Sequence, residues 1–380
     1  ALALASTPAC YQSTTEPTCF PVGDFRGAED FEPFEAEEQD YLLVSADPRY
    51  KDPEPGALYV VPVAQLQSAK NSKNTTPKFT KLAFQGRDEC SFHPHGIAID
   101  DSCGEIRAYV INHHEDGDKD KTYEQCQVTW GTMSTHDPSS IEVYSIDMKT
   151  GTAKFKSRLV NSLIPLPNDL DVGPDGRLYI TDRPSQTKLG AFLSLLIRRR
   201  NARVVGYDPG AHYAFRVVKK LLFSNGVFVS EGVELYVSTM NRQLRRYPLD
   251  ERGHTRGDEE RHDRKVKLEG ALDNLTLVDT DRGEELWLTG HKPLRFAAHG
   301  TKCAKGKSEC AEAMRSPTII HRVPIDRHAK VQTAKLPKDG PQAGATVMPL
   351  DEAATRIAIG PVFEQGLYLC DGVEWQDREK

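Results

Sequence analysis

Four segments of the chain repeat one pattern, in which a polar cluster opens an alternating apolar strand and a tight turn leads to a second strand. The polar clusters are His95-Gly96, Asn168-Asp169, Asn225-Gly226 and Asp273-Asn274. The matching second strands occupy residues 107–110, 177–180, 234–237 and 285–288. Strand pairs that recur in this way indicate a β-propeller, whose innermost strands line one central channel.

The position of the polar clusters predicts a shared site. Each cluster opens an inner strand, so we expect all of them to converge on the channel. Asn and Asp oxygens are the ligands that a hard cation such as Ca²⁺ prefers. A single Asn or Asp cluster is more often a turn former. The prediction of a cation site therefore depends on the recurrence of the clusters in propeller order.

The number of repeats sets the number of blades. Residues 41–45 and 366–370 share the apolar-Tyr-apolar signature of the second strands, which brings the count to six. Alternating outer strands lie between these units, for example 141–146 with 152–155. The sequence thus predicts an all-β, six-bladed β-propeller over residues 19–380, after an N-terminal extension at 1–18. We expect the N- and C-terminal strands to close the ring. Five or seven blades would require one misread unit.

Charge and motif content exclude several functions. The 380-residue chain has 49 basic and 55 acidic residues, a net charge of −6, which argues against nucleic-acid binding. An apolar run of about 18 residues is missing, so no membrane span is predicted. The sequence lacks a Gly-x-Ser-x-Gly elbow, which argues against a serine esterase of the α/β-hydrolase kind. A monomer is the default expectation.

The cysteine content favours a secreted protein. None of the eight cysteines forms a Cys-x-x-Cys pair, so disulfides are a better interpretation than zinc or redox motifs. Cys303 with Cys310 and Cys90 with Cys103 are candidate local pairs, and Asn74 is a candidate glycan acceptor. Residues 189–200 form the best helix candidate, with an apolar body and a basic end. This segment could contact a lipid surface peripherally, cover a substrate pocket or pack on the propeller.

The polar clusters, in this order, resemble those of the paraoxonase/arylesterase family of calcium-dependent lactonases. The similarity spans nearly the whole domain, and its specificity comes from seven motifs in order, since each alone is weak. It implies a six-bladed propeller with two Ca²⁺ ions in its tunnel, on a distant microbial or fungal branch of the family. The matching segments are Gly27-Ala28-Glu29-Asp30-Phe31-Glu32, Phe92-His93-Pro94-His95-Gly96-Ile97, Val110-Ile111-Asn112-His113, Leu166-Pro167-Asn168-Asp169, Ser224-Asn225-Gly226, Leu272-Asp273-Asn274 and Gly290-His291.

The resemblance implies two sets of metal ligands. The catalytic Ca²⁺ would be bound by Glu29, Asn168, Asn225, Asp273 and Asn274. The structural Ca²⁺ would be bound by Asp30, Asp169 and the backbone carbonyl of Ile97. Two carboxylates with three amide oxygens balance the charge of the catalytic ion and leave coordination positions for water and substrate.

The resemblance also implies a catalytic histidine pair, His95 and His113. Histidine suits this role because its unperturbed pKa near 6.5 makes it partly neutral at working pH. His95 would take a proton from water, and His113 would orient His95 and pass the proton on. His291 and Asp182 would line the same pocket, and Cys19 with Cys370 matches the terminal disulfide of the family.

The sequence departs from the family pattern next to the predicted pocket. His113 is followed by a long insertion at 115–138, and Thr289-Gly290 stands where animal members carry a free cysteine. The leading functional prediction is calcium-dependent hydrolysis of lactones and aryl esters. One alternative is a related propeller hydrolase that acts on sugar lactones or phosphotriesters. The other is a non-catalytic propeller scaffold in which calcium is structural.

Overall fold

Six small sheets, built almost entirely from antiparallel strand pairs, make up the fold. The computed structural model describes residues 16–48, 55–70, 76–87, 92–102, 104–113, 139–183, 200–231, 234–256, 264–292, 316–326 and 330–378. Within these ranges the single α-helix is α1 (Val63–Ser68), which is six residues long. The all-β prediction is confirmed.

The first half of the chain supplies one closing strand and three blades. Strand β1 (Thr18–Arg26) belongs to the last blade. Blade 1 contains β2 (Ala28–Ala36), β3 (Gln39–Ala46), β4 (Ala57–Pro62) and β5 (Thr80–Lys81). Blade 2 contains β6 (Ala83–Gln85), β7 (Pro94–Asp100), β8 (Ile106–His113), β9 (Ser139–Asp147) and β10 (Thr152–Leu159). Blade 3 contains β11 (Pro167–Val172), β12 (Leu178–Asp182), β13 (Ala202–Asp208) and β14 (Tyr213–Leu221).

The second half supplies the other three blades. Blade 4 contains β15 (Ser224–Ser230), β16 (Glu234–Thr239), β17 (Gln243–Pro248) and β18 (Arg264–Lys267). Blade 5 contains β19 (Ala271–Thr280), β20 (Gly283–His291), β21 (Ile319–Pro324), β22 (Gln332–Lys335) and, at its edge, β26 (Gln376–Asp377). Blade 6 contains β23 (Gly344–Pro349), β24 (Ile357–Pro361) and β25 (Gln365–Asp371), with β1 outside them.

The innermost strands form a closed ring. Strands β2, β7, β11, β15, β19 and β23 each contact the inner strand of the next blade, and β23 returns to β2. This arrangement is a six-bladed β-propeller, as the repeats predicted. All four polar clusters lie on inner strands, namely β7, β11, β15 and β19.

Blade 6 corrects one prediction about strand order. Residues 366–370 lie in β25, which is the third strand of its blade, and the second strand is β24. The cause is the closure of the ring. Strand β1 supplies the fourth strand of blade 6, pairing Thr18 with Asp371 and Phe20 with Leu369. The C-terminal part of the chain therefore supplies only the first three strands of blade 6, and β25 is the third of them.

The apolar residues lie between neighbouring blades. Phe31, Leu42 and Val44 of blade 1 pack with Leu367 and Leu369 of blade 6 in one of these clusters. Each blade presents alternate residues to each neighbour, which is why the strands read as alternating apolar segments. Burial of a side chain of this size contributes about 1.5–3 kcal/mol relative to exposure. Six such layers hold the inner strands in a fixed ring.

A disulfide closes the ring between β1 and β25, as the resemblance predicted. Cys19 and Cys370 are directly opposed in the strand ladder and are bonded across a sequence separation of 351 residues. A Cys19→Ser variant should lose about 2–5 kcal/mol of stability, because the unfolded chain then regains the freedom that the long loop closure removes. Thermal unfolding with and without reductant measures the loss. Reductant should lower the stability of the wild type by about this much more than it lowers that of the variant.

Several predictions fall outside the described residues. These are the remaining cysteines, Asn74, the insertion at 115–138 and residues 189–199 of the helix candidate. Among the helices in the described ranges, none is both long and apolar enough to cross a bilayer.

Candidate functional site

All six inner strands carry the same irregularity at the channel. In each blade the pairing between the inner and second strands shifts by one residue, which is the signature of a β-bulge. The shifts lie between Ala28 and Asp30, Pro94 and Ile97, Pro167 and Leu170, Ser224 and Val227, Leu272 and Leu275, and Gly344 and Thr346. A bulge interrupts the alternation of a strand. Two adjacent polar residues can then both reach neighbouring inner strands.

The bulges bring the predicted ligands together. Glu29, Asp30, Asn168, Asp169, Asn225, Asp273 and Asn274 are all buried, as is His95. At two of the clusters, neighbouring strands can approach closely because the second residue of the cluster is glycine. A Cβ at Gly96 would lie 2.8 Å from the backbone oxygen of Asn168, and one at Gly226 would lie 2.8 Å from that of Asp273.

A chain of amide contacts connects the proposed ligands of the catalytic ion. These ligands, with His95, are called the upper level of the site: Glu29, Asn168, Asn225, Asp273 and Asn274. The Nδ2 of Asn168 donates to Oδ1 of Asn225. The Nδ2 of Asn225 in turn donates to Oδ1 of Asp273 at 2.6 Å. Asn274 donates to Thr346 Oγ1 at 3.0 Å, while its own Oδ1 is buried and accepts no hydrogen bond. A buried oxygen in this condition is costly unless a donor or a cation reaches it.

His95 joins this level to the carboxylate of Glu29. Its Nδ1 lies 2.6 Å from Glu29 Oε2, and its Nε2 lies 3.3 Å from Asn168 Oδ1. When the Nδ1 proton is shared with Glu29, Nε2 carries the lone pair of the neutral ring. Nε2 and the Asn168 oxygen are then two acceptors facing each other. A water proton or a cation between them would relieve their repulsion.

His113 stands beside His95, as predicted, with ring centroids 4.7 Å apart. Its Nδ1 lies 2.8 Å from Ser139 Oγ, and its Nε2 lies 2.8 Å from a guanidinium nitrogen of Arg183. The contact with Arg183 does not favour the predicted proton shuttle, because arginine can only donate and occupies the lone pair of Nε2.

A second group of carboxylates bridges neighbouring blades. It contains Asp30 and Asp169 and is called the lower level of the site. Asp30 accepts from the backbone N–H of Ile97 at 2.8 Å and from Thr346 Oγ1 at 2.8 Å. Asp169 accepts from the backbone N–H of Val227 at 2.8 Å. The predicted structural ligands therefore lie together, and the contact observed for Ile97 is made by its N–H.

Burial makes this level a poor place for unbalanced negative charge. Desolvation first, and the nearby charge of Glu29 second, raise the pKa of Asp30 to about 8. Desolvation and the charge of Asp30 raise the pKa of Asp169 well above its usual range. Glu32 is raised in the same way, by burial first and then by Asp30 and Asp171, so its pKa is also high. A bound divalent cation would favour the charged carboxylates and so oppose these upward pKa shifts.

The donor set fits a hard cation that uses amide as well as carboxylate oxygens. In the described ranges, no group of three His, Cys, Asp or Glu side chains is arranged to hold a metal by itself. A cation at the upper level would therefore depend on Asn168, Asn225 and Asn274 in addition to Glu29 and Asp273. The orphaned Oδ1 of Asn274 is the observation that favours this fit.

The lower carboxylates predict how stability depends on pH without metal. Burial raises the pKa of Asp171 to about 7, in addition to the shift of Asp30, whereas both groups in the unfolded chain keep the ordinary value of 3.8. The folded state thus holds more protons between about pH 4 and 8, and its stability falls as pH rises through this window. We expect chelated protein to melt several degrees lower at pH 8 than at pH 5, and Ca²⁺ to remove the difference. An equal or higher melting temperature at pH 8 in chelator would contradict this.

His291 and Asp182, the predicted pocket residues, occupy different positions. His291 is fully buried, and its Nε2 lies 3.9 Å from Asp273 Oδ2. Burial lowers the pKa of His291 to about 3, so its ring is neutral. Asp182 accepts from the backbone N–H of Leu166 and from Nε of Arg203, both at 2.8 Å. His291 therefore lies next to the proposed metal ligand Asp273, whereas the carboxylate of Asp182 forms an ion pair with Arg203.

Two residues of the site, Thr346 and Arg183, were not predicted from the sequence. Thr346 lies on β23, the inner strand of blade 6, at the bulge that corresponds to the polar clusters of the other blades. The sequence-based prediction took residues 366–370 as the second strand of blade 6, so it did not identify β23 as the inner strand that carries Thr346. Arg183 follows the end of β12, a position that corresponds to His113 and His291 at the ends of β8 and β20. This shared position at the end of a second strand is the sequence feature that could have identified Arg183 as a site residue.

Comparison with known proteins gives a limited result. The model of the strictosidine synthase family matches residues 168–251, which is a minor part of the chain. No curated protein matches the sequence.

The similar solved structures are distant. One has a provisional gluconolactonase assignment, with 14% identity, a TM-score of 0.47, and coverage of 96% of this chain and 94% of that one. A gluconolactonase from Xanthomonas campestris has 15% identity, a TM-score of 0.43, and coverage of 94% and 97%. Trypanosoma rangeli sialidase has 8% identity, a TM-score of 0.48, and coverage of 93% and 59%. At these values the activity of this chain does not follow from the likeness.

Proposed function

We propose that this protein is a calcium-dependent hydrolase of lactones and aryl esters. The observation that carries the proposal is the upper level of the channel. There, Asn274 has a buried, orphaned Oδ1, and the Oδ1 of Asn168 lies 3.3 Å from Nε2 of His95, whose Nδ1 lies 2.6 Å from Glu29 Oε2. A hard-cation site beside a general base is one arrangement that catalyses hydrolysis of an ester carbonyl.

The residues that would hold the metal are those predicted from the sequence. Glu29, Asn168, Asn225, Asp273 and Asn274 would bind the catalytic Ca²⁺, which when bound polarises the substrate carbonyl and stabilises the developing negative oxygen. Asp30 and Asp169, with the backbone at Ile97, would bind a second, structural Ca²⁺. Removal of that second ion should weaken the contacts between blades, because both carboxylates also accept N–H groups of the next blade.

The protein's own groups would activate water. His95 Nε2 takes a proton from a water molecule while Nδ1 shares its proton with Glu29, which fixes the tautomer and stabilises the charged ring. The water oxygen bonds to the acyl carbon, and the acyl C–O bond then breaks. His95 returns the proton to the leaving oxygen, so a lactone and one water give a hydroxy acid, which ionises.

The test is hydrolysis of a panel of γ- and δ-lactones, a sugar lactone and phenyl acetate. Each substrate is assayed with Ca²⁺, after chelation, and after Ca²⁺ is restored. We expect activity that disappears with chelation and returns with the ion. The sugar lactone is included because two similar folds are described as gluconolactonases. A folded, calcium-loaded protein that hydrolyses none of these substrates would contradict the proposal and favour a binding scaffold.

We also propose that the protein acts outside the cell. The Cys19–Cys370 disulfide needs an oxidising compartment to persist. Recovery of the disulfide-bonded protein from the culture medium of its native cells would test this, and its retention in the cytosol in reduced form would contradict it.

A further inference from the structure

The inner strands of the six blades carry acidic residues without basic ones. Strands β2, β7, β11, β15, β19 and β23 contain several Asp and Glu residues and no Lys or Arg. The two proposed Ca²⁺ ions would balance the carboxylates of the upper and lower levels of the site. The charges of Glu32 and Asp171, which also lie on inner strands, are left unbalanced when both groups are ionised.

The side chains of Asp169 and Asp171 face the same side of β11. They accept hydrogen bonds from the backbone N–H groups of Val227 and Val229 in the next blade, at 2.8 Å and 2.6 Å. Alternation thus resumes after the bulge, and a residue two places beyond the lower level faces the same side of its strand as the lower level does. In blade 1 that residue is Glu32.

The carboxylates of Glu32 and Asp171 lie within electrostatic reach of each other. Burial first, and then the charges of Asp30 and Asp171, raise the pKa of Glu32. No Lys or Arg in the described ranges forms an ion pair with either carboxylate. Both residues are half-buried, so water can reach a ligand that lies between them.

An orphaned hydroxyl marks the same level in blade 5. Thr276 lies two residues after Asn274 and is 4% exposed, and its Oγ1 is buried with no hydrogen-bond partner among the described residues. The equivalent residues of blades 2, 4 and 6 are Ala98, Phe228 and Met348, which have no side-chain oxygen. Every second blade therefore supplies one oxygen-bearing side chain to this level of the channel. A buried hydroxyl without a partner is costly unless a ligand reaches it.

We infer that Glu32, Asp171 and Thr276 hold a third divalent cation, Ca²⁺, in the channel beyond the lower level of the site. This site goes beyond the proposed function, because it takes no part in the reaction. Two carboxylates balance the charge of the ion, and with one hydroxyl they leave coordination positions for water. Since few protein oxygens enclose the ion, we expect weak binding, with a Kd of about 10⁻⁴ M.

Counting bound ions tests the inference. Metal-free protein is dialysed to equilibrium against Ca²⁺ at ~10⁻³ M, well above the expected Kd. The bound Ca²⁺ is measured for the wild type and for the double variant Glu32→Gln/Asp171→Asn, in which both side chains keep an acceptor oxygen and lose only their charge. We expect the wild type to bind one ion more than the double variant. Equal numbers of bound ions would overturn the inference.

Two further variants make the count specific. Glu35→Gln removes a carboxylate from an exposed position on the same strand as Glu32 and should bind as many ions as the wild type. Loss of an ion in this control as well would show an effect of general charge and overturn the site. Thr276→Val keeps the shape without the oxygen and should bind the third ion at least about tenfold more weakly. Unchanged affinity would remove Thr276 from the ligand set and overturn the inference as stated.

The ion count is independent of hydrolysis. A protein that binds the additional ion but hydrolyses no lactone or ester would contradict the proposed function and support the third site. Calcium-dependent hydrolysis with equal ion counts in the wild type and the double variant would have the opposite meaning.

Discussion

An Asp273→Ala variant is expected to lose lactone hydrolysis by at least about 10²- to 10³-fold in kcat/KM, the range for loss of a group that stabilises developing charge. Asp273 accepts from Asn225 Nδ2 at 2.6 Å and is the terminal acceptor of the amide chain. Its removal deletes a ligand and half of the charge balance of the proposed catalytic ion. We expect one of the two proposed Ca²⁺ ions to bind at least about tenfold more weakly, since even residues outside the ligand set have effects of this size.

Two further variants make the Asp273 result specific. Asp273→Asn keeps an oxygen and loses the charge, so its Ca²⁺ affinity should fall between those of the wild type and the alanine variant. Asp279→Asn removes a carboxylate from the exposed end of the same strand and should leave activity and Ca²⁺ binding unchanged. Calcium titration and steady-state kinetics measure both quantities. Activity of Asp273→Ala within about twofold of the wild type would remove Asp273 from the site.

Replacing His95 by glutamine is expected to lower kcat by about a hundredfold, the lower part of the range for loss of a general base. Glutamine can still form a hydrogen bond with Glu29, but it cannot take a proton from water. Ca²⁺ binding should persist, because His95 is not among the proposed ligands. The pH dependence of kcat should also lose its acidic limb in the variant.

His93 offers a matched control for His95. It lies two residues earlier, and its Nδ1 lies 3.3 Å from Oδ1 of Asp47, which is not one of the proposed metal ligands. His93→Gln should retain activity within about twofold. If His95→Gln were fully active, the base would have to be another group, and His291, beside Asp273, would be the next to test.

The fold followed from local patterns wherever a blade is made of consecutive strands. Polar clusters and alternation identified the inner strands of blades 2 to 5, because inner-strand residues have the same surroundings in each blade. In blade 6 the same patterns did not identify the order of the strands correctly. The apolar-Tyr-apolar signature of 366–370 reports a buried strand and does not distinguish the second place from the third. That place is set by β23 and β24, which lie inside β25, while the outer place that a fourth consecutive strand would fill is taken by β1 from the other end of the chain.

The site was predicted in composition more than in arrangement. Alternation would direct Glu29 and Asp30 to opposite faces, yet each contacts the inner strand of blade 2 because a bulge separates Ala28 from Asp30 in the ladder. The sequence around residues 28–30 contains no pattern from which that bulge was predicted. Arg183 was missed for another reason. Its importance comes from His113, which lies 70 positions away in the sequence and in a different blade.

The late pairing of β1 has a consequence for how the protein forms during synthesis. The strands of blades 1 to 4 and strands β19 to β22 of blade 5 are translated before β23, and only the two-residue edge strand β26 of blade 5 follows blade 6, so these blades can assemble as they leave the ribosome. Strand β1 is made before all of these and finds its partner only when β25 emerges. Throughout that interval it presents Phe20 and Val22, both buried in the finished protein, on an unpaired edge. The newborn chain is therefore most exposed to aggregation, and most dependent on chaperones, at its own N-terminal strand.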